Sequence, residues 1–123
     1  MKLRQKLFLA VGLFIACATL AEAHAFLDYA DPEVGGTVKG SPSVVKIWFT
    51  RKIEGASSKI EVFDAKGAEV DQKDAQVDTS DKHLMSVSVP KLPAGTYKVV
   101  WNAVCLDSHH TTGTFTFEVT NQN

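Results

Sequence analysis

Asp107 and His109 are the two side chains whose types and spacing point most directly to chemistry. They belong to the segment Asp107-Ser108-His109-His110, which directly follows a long segment of alternating apolar residues. On an extended backbone, residues two apart point to the same side, so the carboxylate and the imidazole would lie side by side. Such a pair can form half of a metal site, because imidazole supplies a nitrogen donor and the carboxylate offsets the charge of the ion. The alternative is a pair of surface polar residues in a local hydrogen-bonded turn.

A further histidine, His24, follows a segment with the features of a secretory signal peptide. A basic head precedes an almost entirely apolar run over residues 7–20, and residues 21–23 read Ala-Glu-Ala, which is an A-x-A cleavage site. The apolar run is shorter than the roughly 20 residues of a membrane-spanning helix. We expect residues 1–23 to be removed and the exported domain to comprise residues 24–123. A membrane anchor or a buried core helix is the alternative.

Cleavage after residue 23 would make His24 a chelating residue. An N-terminal histidine offers its α-amine and its ring Nδ1 to one metal ion, and the two atoms close a six-membered chelate ring. Together with Asp107 and His109 they form a set of four donors: one amine, two imidazoles and one carboxylate. Cu(II) favours nitrogen donors in a tetragonal plane and stands at the top of the divalent affinity order, so this set suits Cu(II).

Cys17 allows a different N-terminus. Residues 14–17 read Phe-Ile-Ala-Cys, which loosely matches a lipoprotein acylation box. Acylation there would make Cys17 the lipidated first residue, and His24 would then have no free amine.

The remaining cysteine and histidines have simpler interpretations. We expect Cys105 to be a buried strand residue; the alternatives are a soft donor that favours Cu(I), a reductant of Cu(II) or an intermolecular disulfide. We expect His110 to point away from His109 as a surface or supporting residue, with replacement of His109 as the ligand as the alternative. His83 has no donor near it in the sequence and is expected to play no part in a site.

Strands must position these residues, because no segment of the mature chain shows a sustained helical period. Gly95 and Tyr97 resemble a tyrosine corner at the start of a strand, with a plain core aromatic as the alternative. Short alternating segments between glycine and proline turns predict an all-β, immunoglobulin-like Greek-key sandwich. We predict about seven strands, near residues 26–29, 44–50, 59–63, 69–70, 84–89, 96–104 and 114–119, with residues 71–82 as an exposed connection.

Composition narrows the class of function. The chain has 123 residues and a net charge of -1, and loss of residues 1–23 leaves 100 residues with a net charge of -3 and one cysteine. A mean hydropathy of -0.02 and 22% charged residues exclude a disordered tail and a polytopic membrane protein. A pI near 6.4 provides no basic field for nucleic acid. Without an intramolecular disulfide, a hydrophobic core must stabilise the exported domain.

Six short motifs run through nearly all of the mature chain in a recognisable order. They are His24-Ala25, Pro32-x-x-Gly35, Val45-x-Ile47-x-Phe49, Leu92-x-x-Gly95-x-Tyr97, Val100-Trp101-Asn102-Ala103-Val104 and Asp107-x-His109-x-x-x-Gly113-x-x-x-Phe117-x-Val119. In this order they resemble the CopC family of periplasmic copper-resistance proteins.

The resemblance has implications for fold, ligands and partners. It implies a cupredoxin-like or immunoglobulin-like sandwich in the periplasm that binds one Cu(II) per monomer. The ligands would be His24, through its amine and Nδ1, together with Asp107 and His109. It also suggests a partner, an inner-membrane copper transporter of the CopD type.

The sequence departs from the family in three places. Met85 is the only methionine of the mature chain, so we predict no methionine-rich Cu(I) site. Arg51 stands where many members carry an acidic residue, which puts a supporting carboxylate there in doubt. Cys105 stands where members have serine or another small residue.

Two functions of different class fit this set of residues. One is a monomeric, non-enzymatic Cu(II) carrier or buffer in copper resistance or homeostasis. The other is an oxidative enzyme with a histidine brace like that of lytic polysaccharide monooxygenases. Four protein donors fill a tetragonal plane, whereas catalytic metals keep an open position, so the donor set favours the carrier. A metal-free adhesion-type sandwich is the third alternative.

Overall fold

A computed structural model describes residues 26–122 of the chain, so the predicted signal peptide, Cys17 and His24 lie outside the described residues. The described part is all-β. Its strands are β1 (Leu27–Asp31), β2 (Thr37–Lys39), β3 (Val44–Phe49), β4 (Ile53–Phe63), β5 (Gln76–Val77), β6 (Leu84–Ser88), β7 (Gly95–Cys105) and β8 (His110–Thr120). Among residues 26–122, no helix is long and apolar enough to cross a membrane.

The strands form two sheets of four strands each. The first has the order β1-β3-β6-β5, and the second has the order β2-β8-β7-β4. The paired strands are antiparallel except for β2 and β8, which are parallel. The chain crosses repeatedly from one sheet to the other, as in Greek-key sandwiches. The predicted all-β sandwich is therefore confirmed, with eight strands rather than about seven.

The core lies between the two sheets and is built from apolar residues that alternate along most of the strands. Burying a large apolar side chain contributes roughly 1.5–3 kcal/mol, so these inward faces provide most of the driving force for folding. The Phe49 ring of β3 meets the Trp101 ring of β7 edge to face, with centroids 5.3 Å apart, and so joins the two sheets. The alternating apolar residues of the predicted strands are buried: Val45, Ile47, Phe49, Ile60, Val62, Met85, Val87, Tyr97, Val99, Trp101, Ala103, Phe115, Phe117 and Val119.

The segment between β4 and β6 differs from the prediction. The strand expected near residues 69–70 is only a single bridge between Phe63 and Glu69. The connection over residues 71–82 is not simply exposed, because it contains β5 and begins at the buried Asp71. One carboxylate oxygen of Asp71 accepts a hydrogen bond from the backbone N–H of Val62 at 2.8 Å, and this bond holds the connection against β4. A polar residue that binds backbone leaves no apolar pattern for sequence analysis to detect.

The predicted strands differ from the structure elsewhere as well. β2 was not predicted, because three residues are too few to show alternation. β4 begins at Ile53 instead of residue 59, with an irregular register between Glu54 and Lys59 that interrupts the alternation.

The predicted tyrosine corner is present at the start of β7. The Tyr97 hydroxyl donates a hydrogen bond to the backbone carbonyl of Pro93 at 2.6 Å, and its ring stacks on Phe117. Burial raises the pKa of Tyr97, which keeps the hydroxyl protonated as a donor. The bond fixes the entry of the chain into the longest hairpin of the fold.

Replacing Tyr97 by phenylalanine removes this hydrogen bond and keeps the ring. We expect Tyr97→Phe to lower the free energy of unfolding by about 1 kcal/mol, measured by urea denaturation. Tyr29→Phe is the matched control, because Tyr29 is 52% exposed and should lose almost nothing. Equal stabilities of the two variants would show that the corner bond does not stabilise the fold.

Candidate metal centre

The Asp107-Ser108-His109 segment lies in the turn that connects β7 to β8. The backbone N–H of Cys105 donates to the carbonyl of His109 at 2.8 Å, and the N–H of Ser108 donates to the carbonyl of Cys105 at 2.9 Å. Ser108 has a φ of 74°, in the left-handed region that few non-glycine residues adopt. The turn is thus closed by backbone hydrogen bonds at the end of the hairpin.

This turn brings the Asp107 and His109 side chains together. One carboxylate oxygen of Asp107, Oδ1, accepts a hydrogen bond from the backbone N–H of His109 at 3.2 Å. The other, Oδ2, lies 3.2 Å from Nδ1 of the His109 ring. Their predicted proximity is confirmed, but the predicted cause, an extended strand, is wrong, because the chain turns between the two residues. Both side chains are exposed to solvent, at 49% and 68%.

Arg51 is the third charged side chain at this turn. Its guanidinium nitrogen Nη1 lies 3.0 Å from Oδ2 of Asp107. Its guanidinium carbon lies 5.0 Å from the centre of the Phe26 ring, at the start of the described chain. The backbone N–H of Thr50 donates to the carbonyl of Phe26 at 2.8 Å. Arg51 therefore connects the first described residue with the turn that carries Asp107 and His109.

The contact of Arg51 with Asp107 was not predicted from the sequence, although Arg51 itself was noted. The two residues are far apart in the sequence, and each follows a different strand. The only sign of the contact was a basic residue where many family members carry an acidic one. An exposed ion pair of this kind contributes little to stability, so its importance is local.

The surroundings of Asp107 favour its charged form. The hydrogen bond from the backbone N–H of His109 holds the pKa of Asp107 below its ordinary value. The His109 side chain and the Arg51 charge lower this pKa further. Asp107 is therefore a carboxylate at neutral pH, which is the form that binds a metal ion.

The other two described histidines are occupied by different partners. Nε2 of His110 lies 2.7 Å from the side-chain oxygen of Asn102, on the exposed side of the hairpin. His110 is therefore a surface residue, as predicted. Nδ1 of His83 lies 3.1 Å from the carbonyl of Phe49, where it joins the ends of β3 and β6. Between Phe26 and Gln122, no three His, Cys, Asp or Glu side chains form a group that could hold a metal ion.

Cys105 ends β7 as a buried residue, and only 2% of it is exposed. Its predicted position as a buried strand cysteine is confirmed. Burial raises the pKa of the Cys105 thiol, and the negative charge of Asp107 adds to this rise. The thiol is therefore protonated at neutral pH and hardly reactive.

Comparison with known proteins identifies the family. A family model described as the CopC domain matches residues 27–120 of the chain. The chain belongs to the CopC family. It is 30% identical over 126 residues to copper resistance protein C of Escherichia coli, a match that covers 97% of this chain and 99% of that protein. It is 31% identical over 98 residues to the copper transport protein CutJ of Bacillus subtilis. That match covers 79% of this chain but only 18% of the length of CutJ.

Solved structures of CopC-type proteins share the fold. The crystal structure of CopC from Methylosinus trichosporium OB3b superimposes with a TM-score of 0.75 at 28% identity, over 80% of this chain and 95% of that one. PcoC, a methionine-rich copper resistance protein from Escherichia coli, gives a TM-score of 0.66 at 26% identity, over 77% of this chain and 97% of that one. The sandwich of this CopC-family chain is thus the fold of its copper-resistance relatives.

The buried thiol leads to a chemical prediction. Under native conditions at mildly alkaline pH, we expect a thiol-specific reagent to label Cys105 at least about tenfold more slowly than in urea, because both access and thiolate formation are suppressed. Mass spectrometry of timed samples measures the two rates, with the urea-unfolded protein as the control. Equal rates in buffer and in urea would contradict the buried position.

Proposed function

We propose that the mature chain is a periplasmic Cu(II)-binding protein that carries or buffers copper in resistance or homeostasis. The observation that supports this most is the contact between Asp107 and Nδ1 of His109, in a CopC-family domain. A carboxylate already charged and already beside an imidazole offers one oxygen and one nitrogen donor to an ion from solvent. Both groups are exposed, so copper can reach and leave them directly.

His24 supplies the remaining two donors in this proposal. Phe26 is attached to the β3 side of the site by the Thr50 hydrogen bond and by the Arg51 contact, and Arg51 in turn contacts Asp107. His24 precedes Phe26 by two residues, and two residues span at most about 7 Å. This short tether supports a site shared between the N-terminus and the β7–β8 turn.

The resulting donor set favours carriage over catalysis. An amine, two imidazoles and one carboxylate fill a tetragonal plane around a single Cu(II). An oxidative enzyme needs an open coordination position, and the carboxylate of Asp107 held beside His109 counts against one. We therefore propose a non-enzymatic monomer with one Cu(II).

We further propose that a membrane protein accepts the copper that this chain hands on. The copper transport protein CutJ contains a segment similar to this chain within a much longer protein. That arrangement supports an inner-membrane copper transporter, of the CopD type, as the partner of this chain.

His109 and His110 provide a matched pair for testing the ligands. We expect His109→Ala to weaken Cu(II) binding by on the order of 100-fold, because the turn loses its nitrogen donor. His110→Ala should change the affinity by less than about threefold, since that ring contacts Asn102 instead. Competition titration against a chromophoric copper chelator measures both. A larger loss in His110→Ala than in His109→Ala would overturn the assignment.

The free N-terminal amine is tested separately. We expect the exported protein to have the mass of residues 24–123, and a Gly-Ser-Gly-Ser extension before His24 to weaken Cu(II) binding by on the order of 100-fold. The extension moves the amine out of the chelate ring and leaves every side chain of residues 24–123 unchanged. Intact mass and the same competition titration provide the readouts. A lipidated Cys17, a different first residue or an unchanged affinity would show that His24 does not chelate copper as proposed.

A further inference from the structure

Oδ2 of Asp107 is shared between two neighbours at similar distances. It lies 3.0 Å from Nη1 of Arg51 and 3.2 Å from Nδ1 of His109. Arginine side chains keep their positive charge in proteins, so this charge does not disappear when a metal ion arrives. A divalent ion that binds Oδ2 therefore displaces Arg51 or shares the oxygen with it, and an ion that binds Oδ1 lies a few ångströms from the same positive charge.

The surroundings of Arg51 allow such a displacement. The Arg51 side chain is 46% exposed, so the released guanidinium can turn into water without becoming a buried unpaired charge. The Phe26 ring beneath it offers a weak attraction that remains when the Asp107 contact is broken. Lys52 lines the same surface depression as Arg51 and Asp107, and among residues 26–122 Asp107 is the only carboxylate that lines it.

We propose that Arg51 is an internal competitor of the metal ion for the Asp107 carboxylate, and thereby a determinant of copper affinity. This rests on the proposed function. Without copper, the guanidinium holds the carboxylate in place at the turn. With copper, it is displaced or repelled, so the ion is bound less tightly than the four donors alone would bind it. A lower affinity suits a protein that must give its copper up.

The expected change in copper affinity is modest because the Arg51–Asp107 pair is exposed to water. A unit charge about 5 Å from a divalent ion in a water-like medium changes the binding constant by roughly three- to tenfold. The effect should decrease with added salt, because the screening length falls from about 30 Å at 0.01 M to about 3 Å at 1 M ionic strength.

Three variants of the mature protein test the proposal by Cu(II) competition titration. Arg51→Gln removes the charge and keeps a polar side chain, and we expect its affinity to rise three- to tenfold at low salt, with the difference shrinking at high salt. Arg51→Lys keeps the charge and should stay within about twofold of the unmodified protein. Lys52→Gln is the matched control, since it removes the same charge from the adjacent residue and should change the affinity less than Arg51→Gln. Urea denaturation of the metal-free proteins checks that all three remain folded.

Several results would overturn the proposal. Weaker binding in Arg51→Gln would show that Arg51 positions the site instead of competing for it. An unchanged affinity in Arg51→Gln, or an equal rise in Lys52→Gln, would show that the Asp107 pair has no specific effect. None of these three results would contradict the proposed function if His109→Ala still weakens Cu(II) binding. Absence of Cu(II) binding in the unmodified protein would overturn both proposals.

Discussion

The pairing of β7 with β8 forms the centre of the second sheet and ends at the turn that carries the candidate site. The two strands are in continuous register from Gly95 opposite Val119 to Val104 opposite His110. One end of this hairpin is fixed by the hydrogen bond from Tyr97, and the other end is the turn that holds Asp107 and His109. The hairpin therefore places a carboxylate oxygen 3.2 Å from an imidazole nitrogen at its turn. Preorganisation of this kind reduces the entropy that an ion must overcome when it orders its ligands.

The first sheet also contributes to the site, because Arg51 follows β3 and contacts Asp107. Its contacts with Phe26 and Asp107 connect the start of the domain to the hairpin turn across the two sheets. A half-exposed ion pair adds little to stability, so its effect falls on the electrostatics of the site instead. In the proposed copper site, the donors and their nearest cation would therefore set the copper affinity together.

The alternation of apolar and polar residues made most of the strands predictable. The features that were missed do not show such alternation. Val45, Ile47 and Phe49 were predictable because an apolar residue at every second position leaves few other structures. The strand β2 could not be predicted, because three residues are too few to show alternation. The burial of Asp71 could not be predicted either, because it depends on a hydrogen bond from the backbone of Val62. The overall sandwich could therefore be predicted from the pattern of apolar and polar residues, whereas the polar tertiary contacts could not.

The candidate site was predicted in part and for a partly wrong reason. The D-x-H spacing identified Asp107 and His109, yet a turn and not a strand brings them together. Arg51 and Asp107 follow strands that are far apart in the sequence, so their contact depends on the tertiary structure. No local sequence pattern predicts a contact of this kind. His24 was inferred from the cleavage signal and the CopC resemblance, and its role stays a prediction.

The proposed function depends on a mononuclear Cu(II) site built from the N-terminus and the β7–β8 turn. Electron paramagnetic resonance of the mature protein loaded with one equivalent of Cu(II) tests for this site. We expect one axial signal with nitrogen hyperfine structure that changes when histidine is labelled with nitrogen-15. A signal without nitrogen coupling, or one that resembles copper in buffer alone, would show that the site is not built from these donors.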